Sequence, residues 1–101
     1  MAELLIKGGM VIDGTGNAGY EADVFVKDGK IVKIAKIAKN EKTETSPSDF
    51  AAADIQVLDA RGKLVTPGFI NMHSHSDCSV AMYPEMESTL GQGITTEFAG
   101  H

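Results

Sequence analysis

A short apolar strand leads directly into two histidines in the segment Pro67-Gly68-Phe69-Ile70-Asn71-Met72-His73-Ser74-His75-Ser76-Asp77. In an extended chain, residues two apart point to the same side and lie about 7 Å apart, so His73 and His75 present two imidazoles on one face. Two such side chains can converge on one metal ion, and imidazole suits zinc and other late divalent metals. The alternative is a solvated polar loop, because a metal site usually needs three or four ligands.

A helix and a second strand are predicted downstream of the histidines. Pro84 suits the first helical position, and Glu85 and Glu87 are favoured near the positive end of the helix dipole. Glycines in residues 91–93 supply the helix end, and the β-branched residues of 94–99 predict a strand. Strand, helix and strand at this spacing predict one β-α-β unit.

Upstream, the chain reads as short strands separated by glycine turns. The predicted strands are residues 4–7, 10–12, 22–27, 30–35, 55–59 and 63–66. Gly8-Gly9 predicts a hairpin turn, and Asp28-Gly29 predicts a type I′ turn. In the strand at 22–27, alternation places Ala22 on the core face and Phe25 on the outward face. The polar residues 39–53 are expected to form a surface loop, and Pro67-Gly68 marks a boundary after these strands.

Composition limits the classes of protein to which the chain can belong. Its 101 residues suffice for one modest core but not for a complete two-domain enzyme. The net charge of −5 argues against nucleic acid as a partner. Neither a membrane-spanning apolar run nor a signal peptide is recognisable, and Cys78, the single cysteine, has no internal disulfide partner. A cytoplasmic location is expected.

The segment of residues 67–75 closely resembles the opening of the barrel in the amidohydrolase superfamily. Residues 4–9, 11–14, 22–24 and 28–31 resemble the amino-terminal β-sandwich strands of that superfamily. His73-Ser74-His75-Ser76-Asp77, followed by Gly91-Gln92-Gly93-Ile94-Thr95-Thr96, is most similar to the N-acyl-D-amino-acid deacylases, also called D-aminoacylases. Practically the whole chain takes part in this resemblance.

The resemblance implies a fold, a metal and a reaction. Residues 1–66 would be a mainly β sandwich domain, and residues 67–101 would be the first β-α-β unit of an incomplete (β/α)8 barrel. His73 and His75 would be zinc ligands at the end of the first barrel strand. The parent enzyme would hydrolyse a linear amide bond of a small N-acyl-D-amino acid. Because the other ligands and the general base would lie downstream, no catalytic residue is assigned to this chain, which is expected to be inactive alone.

Three further residues near the histidines have open roles. In the deacylases a cysteine ligand closes a Gly-Asn-Cys-Gly motif, and here His101 stands at the asparagine position. His101 is a third ligand, a neighbour of a ligand or a disordered terminus. Asp77 either orients a histidine or caps the following turn. Cys78 does not match the family's cysteine and is expected to be a packed or half-exposed thiol.

Two other classes of protein compete with the deacylase interpretation. The first is a dihydroorotase-like or hydantoinase-like hydrolase of cyclic amides, since the chain also resembles these enzymes in its sandwich strands and its H-x-H opening. A cysteine just after residue 101 would favour the deacylase, and a bridging lysine further on would favour the rival. The third hypothesis is a non-catalytic β-sandwich interaction module that does not bind metal. Unpaired strand edges would in each case favour association into a homo-oligomer.

Overall fold

The computed structural model describes residues 3–37 and 55–100. The whole of the predicted surface loop at residues 39–53 lies outside these ranges, and so does His101. The chain divides into two compact units, Met1–Thr66 and Pro67–His101, and each is described by itself below.

The first unit contains one mixed five-stranded sheet. Its strands are β1 Glu3–Val11, β2 Tyr20–Lys27, β3 Lys30–Lys36, β4 Ile55–Asp59 and β5 Leu64–Val65. The order is β3-β2-β1-β4, with β5 pairing with the far end of β1. β1 is antiparallel to β2 and parallel to both β4 and β5. The prediction of a mainly β fold is confirmed. A second layer of the predicted sandwich is not formed by the described residues of this unit.

The β2–β3 hairpin forms where the sequence predicts it. Asp28 and Gly29 connect the two strands with φ angles of 50° and 73°. Positive φ at both central positions is the requirement of a type I′ turn, which matches the right-handed twist of the flanking strands. The turn therefore fixes the antiparallel pairing that begins at Lys27 and Lys30.

The predicted hairpin at Gly8-Gly9 is wrong, because β1 runs through both glycines without turning. The pairing with β2 shifts register between Ile6 and Gly9, which marks a β-bulge. Gly8 has a φ of 70°, and its N–H donates to Asp23 Oδ1 at 2.8 Å. A Cβ atom at Gly9 would collide with the Val65 side chain of β5. The glycines thus serve a bulge and a close strand contact.

Phe25, which was expected on the outward face of β2, is not exposed to solvent. Ala22, Asp23, Val24 and Phe25 are consecutive in β2 and all are buried, with Phe25 fully inaccessible. Four consecutive buried residues mean that both faces of β2 are buried here, so alternation does not separate a core face from an exposed face. The Lys33 ammonium lies 5.8 Å from the centre of the Phe25 ring, within the range of a cation–π contact.

The second unit contains one parallel strand pair and two short helices. The strands β6 Phe69–Asn71 and β7 Ile94–Glu97 are joined through α1 Ser76–Ser79 and α2 Glu87–Leu90. Both strands of the predicted β-α-β unit are therefore present. Gly68 permits the close approach of the strands, because a Cβ atom there would collide with the Thr95 side chain.

The single helix predicted from Pro84 is wrong in extent. α2 begins only at Glu87, because the preceding Met86 adopts a left-handed backbone with φ 48° and ψ 38°. An additional helical turn, α1, occupies part of the segment expected to be a polar loop. Within residues 3–37 and 55–100, no helix is long and apolar enough to cross a membrane.

Candidate metal centre

The two histidines lie in a loop that is tied to the ends of both parallel strands. β6 ends at Asn71, whose carbonyl accepts the Phe98 N–H at 2.9 Å. The Ser74 N–H, between the histidines, donates to the Phe98 carbonyl at 2.8 Å. These bonds continue the strand pairing past β6 and β7. The loop therefore starts at the carboxyl edge of the pair, where barrel enzymes place their active sites.

His73 and His75 are brought together by this loop. Their ring centres are 5.4 Å apart, and the ring planes meet at 72°. The backbone N–H of His73 donates to Asn71 Oδ1 at 3.2 Å. His75 is the N-cap residue of α1, and its carbonyl accepts the Cys78 N–H at 3.0 Å. Both imidazoles belong to exposed residues.

The spacing of the rings is compatible with a shared zinc ion. Zn–N bonds of about 2.0–2.1 Å in a tetrahedral site place two imidazole centres roughly 5 Å apart. The observed separation is 5.4 Å. Within residues 3–37 and 55–100, no group of three or more His, Cys, Asp and Glu side chains is close enough to hold a metal ion. The two histidines would therefore need further ligands to complete a zinc site.

A carboxylate that the sequence analysis did not select also contacts this loop. The Ser74 hydroxyl donates to Glu97 Oε2 at 3.0 Å, and the Ser74 Oγ accepts the Ser76 N–H at 3.1 Å. Hydrogen bonds from the hydroxyl groups of Ser76 and then Ser74 lower the pKa of Glu97 below its ordinary value. The available signal was the position of Glu97 in the second strand of the predicted β-α-β unit, whose first strand leads to the histidines.

An open cleft lies beside the loop. It has a volume of about 760 Å³, and its lining includes Ser74, His75, Glu97 and Tyr83. His75 therefore borders a space large enough for a small molecule, since ligand pockets commonly have about 300–1,000 Å³.

Asp77 and Cys78 both lie in α1. Asp77 occupies its first turn, and its Oδ2 is 3.9 Å from Cys78 Sγ. The Cys78 thiol, which was expected to be packed or half-exposed, is exposed. The open role of His101 as a ligand stays a prediction, because that residue lies outside the described ranges.

Comparison with known families shows which proteins this chain resembles. Residues 56–101, which include both histidines, match the model of the Amidohydrolase family. The resemblance to amidohydrolases noted in the sequence is confirmed, and along its full length the chain is similar to the N-acyl-D-amino-acid deacylases among them.

Two deacylases illustrate this similarity. The chain is 37% identical over 101 residues to N-acyl-D-aspartate deacylase of Alcaligenes xylosoxydans xylosoxydans, an alignment that covers 99% of the chain and 18% of that relative. The solved structure of N-acyl-D-glutamate deacylase from Bordetella bronchiseptica superposes with a TM-score of 0.74 at 35% identity. That alignment covers 97% of the chain and 18% of the solved chain. The Bordetella enzyme was crystallised with zinc and a phosphonate mimic of the tetrahedral intermediate.

A cyclic-amide hydrolase is similar over a shorter range. The dihydroorotase of Pelotomaculum thermopropionicum is 42% identical over 73 residues, which cover 72% of the chain and 14% of that enzyme. The chain therefore spans less than a fifth of the length of the relatives compared above.

Proposed function

We propose that this chain is the opening part of a metal-dependent hydrolase that cleaves the linear amide bond of N-acyl-D-amino acids. Residues 1–66 would belong to its β-sandwich domain, and residues 67–101 would begin its (β/α)8 barrel. The deacylase alignments support this assignment, since they extend over 97–99% of the chain. A small-molecule substrate, and not nucleic acid, agrees with the net charge of −5. A cytoplasmic location is proposed because Cys78 is the single cysteine and cytosolic folds usually lack disulfides.

His73 and His75 are proposed to be the first two ligands of the zinc ion. The observation that carries this proposal is their position directly after β6, at the carboxyl edge of a parallel strand pair, with ring centres 5.4 Å apart. The zinc in the Bordetella deacylase supports the choice of metal.

The contribution of this chain to the reaction would be to hold and orient the metal. Bound zinc supplies an acidified water and polarisation of the amide carbonyl. His73 and His75 would provide two imidazole ligands, and the hydrogen bonds of Ser74 fix the backbone between them. No general base is assigned among the described residues, so hydrolysis by this chain alone is not expected.

Zinc titration by calorimetry tests the ligand assignment. The wild-type chain is expected to bind one zinc ion with a Kd of about 1 μM or tighter, and His73→Ala/His75→Ala is expected to abolish that binding. Cys78→Ser is the matched control, because it removes the exposed thiol and keeps both imidazoles. Binding that survives in the double variant, or that is lost in Cys78→Ser, would show that other groups hold the metal.

The substrate class is tested on the complete reading frame that contains this chain. The protein encoded by that reading frame is expected to hydrolyse N-acyl-D-aspartate or N-acyl-D-glutamate and to release a free amine. The deacylases of these two substrates align with nearly the whole chain. Ring opening of dihydroorotate without deacylation would favour the second candidate, the cyclic-amide hydrolase, which the dihydroorotase alignment supports. If the encoded protein neither binds zinc nor acts on these substrates, a non-catalytic interaction module is favoured.

A further inference from the structure

The end of β7 is linked to the histidine loop, residues 72–75, by a side-chain hydrogen bond. The parallel register places Glu97 of β7 opposite Asn71 of β6, two residues before His73. From that position the Glu97 carboxylate reaches the Ser74 hydroxyl at 3.0 Å, in a half-buried setting. The two residues are 23 positions apart in sequence, so this bond joins the end of β7 to the loop that follows β6.

Ser74 is held by three hydrogen bonds, one at its backbone N–H and two at its hydroxyl group. Its N–H donates to the Phe98 carbonyl at 2.8 Å, its hydroxyl donates to Glu97, and its Oγ accepts the Ser76 N–H at 3.1 Å. The peptide bonds on either side of Ser74 lead to His73 and His75. A constraint on Ser74 therefore limits the backbone freedom of both histidines.

We infer that Glu97 is a positioning residue that holds the His73-Ser74-His75 loop in its metal-binding conformation through Ser74. This inference rests on the proposed function, since it assigns Glu97 to the same metal site. A carboxylate suits the task, because hydrogen bonds to an ionised acceptor are shorter and stronger than those between neutral groups. Groups that orient metal ligands typically change metal affinity about 10–100-fold when they are removed.

Amide hydrogen exchange in the metal-free chain, followed by NMR, tests the positioning directly. Glu97→Ala is expected to accelerate exchange of the Ser76 amide about tenfold, because its acceptor, Ser74 Oγ, loses its own partner. Glu97→Gln keeps an acceptor oxygen and is expected to restore most of the protection. The matched control is Glu87→Gln, which changes the same charge in the same unit and is expected to leave Ser76 exchange unchanged.

Zinc affinity provides the second readout. Both Glu97→Ala and Ser74→Ala are expected to weaken zinc binding about tenfold, and the double variant is expected to be no weaker than either single one. Ser74→Ala alters no charge, so its effect separates positioning from simple attraction between Glu97 and the cation. Circular dichroism of each variant checks that the fold is retained.

The two readouts distinguish failure of this inference from failure of the proposed function. Unchanged Ser76 exchange in a folded Glu97→Ala variant would overturn the positioning role, whatever the zinc affinity. Equal losses of zinc affinity in Glu97→Gln and Glu87→Gln, with none in Ser74→Ala, would overturn it as well, since charge alone would then explain them. If the wild-type chain binds no zinc, the ligand assignment fails, and the exchange data still decide whether Glu97 orders the loop.

Discussion

The carboxylate of Asp23 accepts a hydrogen bond from the backbone N–H of Gly8 at 2.8 Å, although Asp23 itself is completely buried in the sheet. The bond lies at the bulge of β1, where the regular pairing with β2 is interrupted. A bulge leaves a backbone group without its ladder partner, and a buried side chain can satisfy that group instead. Asp23 therefore stabilises an irregular strand from its neighbour.

Asp23→Ala is expected to destabilise the chain by about 1–3 kcal/mol, because the Gly8 amide loses its acceptor. Asp23→Asn keeps a side-chain oxygen and is expected to cost less. Urea unfolding followed by circular dichroism measures both differences. Equal stability of the wild type and Asp23→Ala would show that the bulge does not depend on this carboxylate.

Gly9→Ala is expected to cost about 1–3 kcal/mol, since the new methyl group would overlap the Val65 side chain. The loss should be smaller when Gly9→Ala is measured in a Val65→Ala background, where the space has been opened. A double-variant cycle in the same unfolding assay measures this coupling. Additive effects of the two substitutions would contradict the close contact between β1 and β5.

Phe25→Ala is expected to destabilise the chain by about 3–5 kcal/mol, because it removes a large side chain with 0% exposure. Such a loss is a large part of the total stability of a small domain. Phe69→Ala is the matched control, since Phe69 is 57% exposed and its removal opens a much smaller gap. Thermal unfolding checks both variants, and similar midpoints would show that Phe25 is not part of a packed core.

The ion pair of Asp59 and Arg61 predicts a specific dependence on pH. Hydrogen bonds from Arg61, with Nη2 2.6 Å from Asp59 Oδ2, lower the pKa of Asp59 to about 2. The pKa of Asp59 is lower in the folded chain than in the unfolded chain. The ion pair with Arg61 therefore contributes its full stabilisation above about pH 4. It is lost as the pH falls from about 4 towards 2.

Asp59→Asn should remove this part of the pH dependence. The difference in unfolding midpoint between the wild type and Asp59→Asn is expected to shrink as the pH falls from about 4 to about 2. Asp28→Asn, in the exposed β2–β3 turn, is the control for loss of a surface carboxylate. A difference that stays constant over this range would contradict the effect of Arg61.

The sequence predicted best those features that depend on neighbouring residues. Asp28-Gly29 determines its own turn, because positive φ at both positions is a local property. The histidine pair was recognised from its two-residue spacing, although both histidines lie in a loop after β6 and not in an extended strand.

Features that depend on distant residues were missed. A Gly-Gly pair is typical of both a turn and a bulge. Which of the two forms at Gly8-Gly9 depends on the pairing of β1 with β2 and with the parallel strands β4 and β5. Alternation did not predict the burial of Phe25, because both faces of β2 are buried there. Glu97 was not selected because its bond to Ser74 spans 23 positions of the chain.

The most direct test of the account is X-ray absorption spectroscopy at the zinc edge of the zinc-loaded chain. We expect two imidazole ligands with Zn–N distances of about 2.0–2.1 Å, and loss of the imidazole scattering in His73→Ala/His75→Ala. A spectrum without imidazole ligands, or one that the double variant leaves unchanged, would contradict the assignment of His73 and His75 as the first ligands of an amidohydrolase metal site.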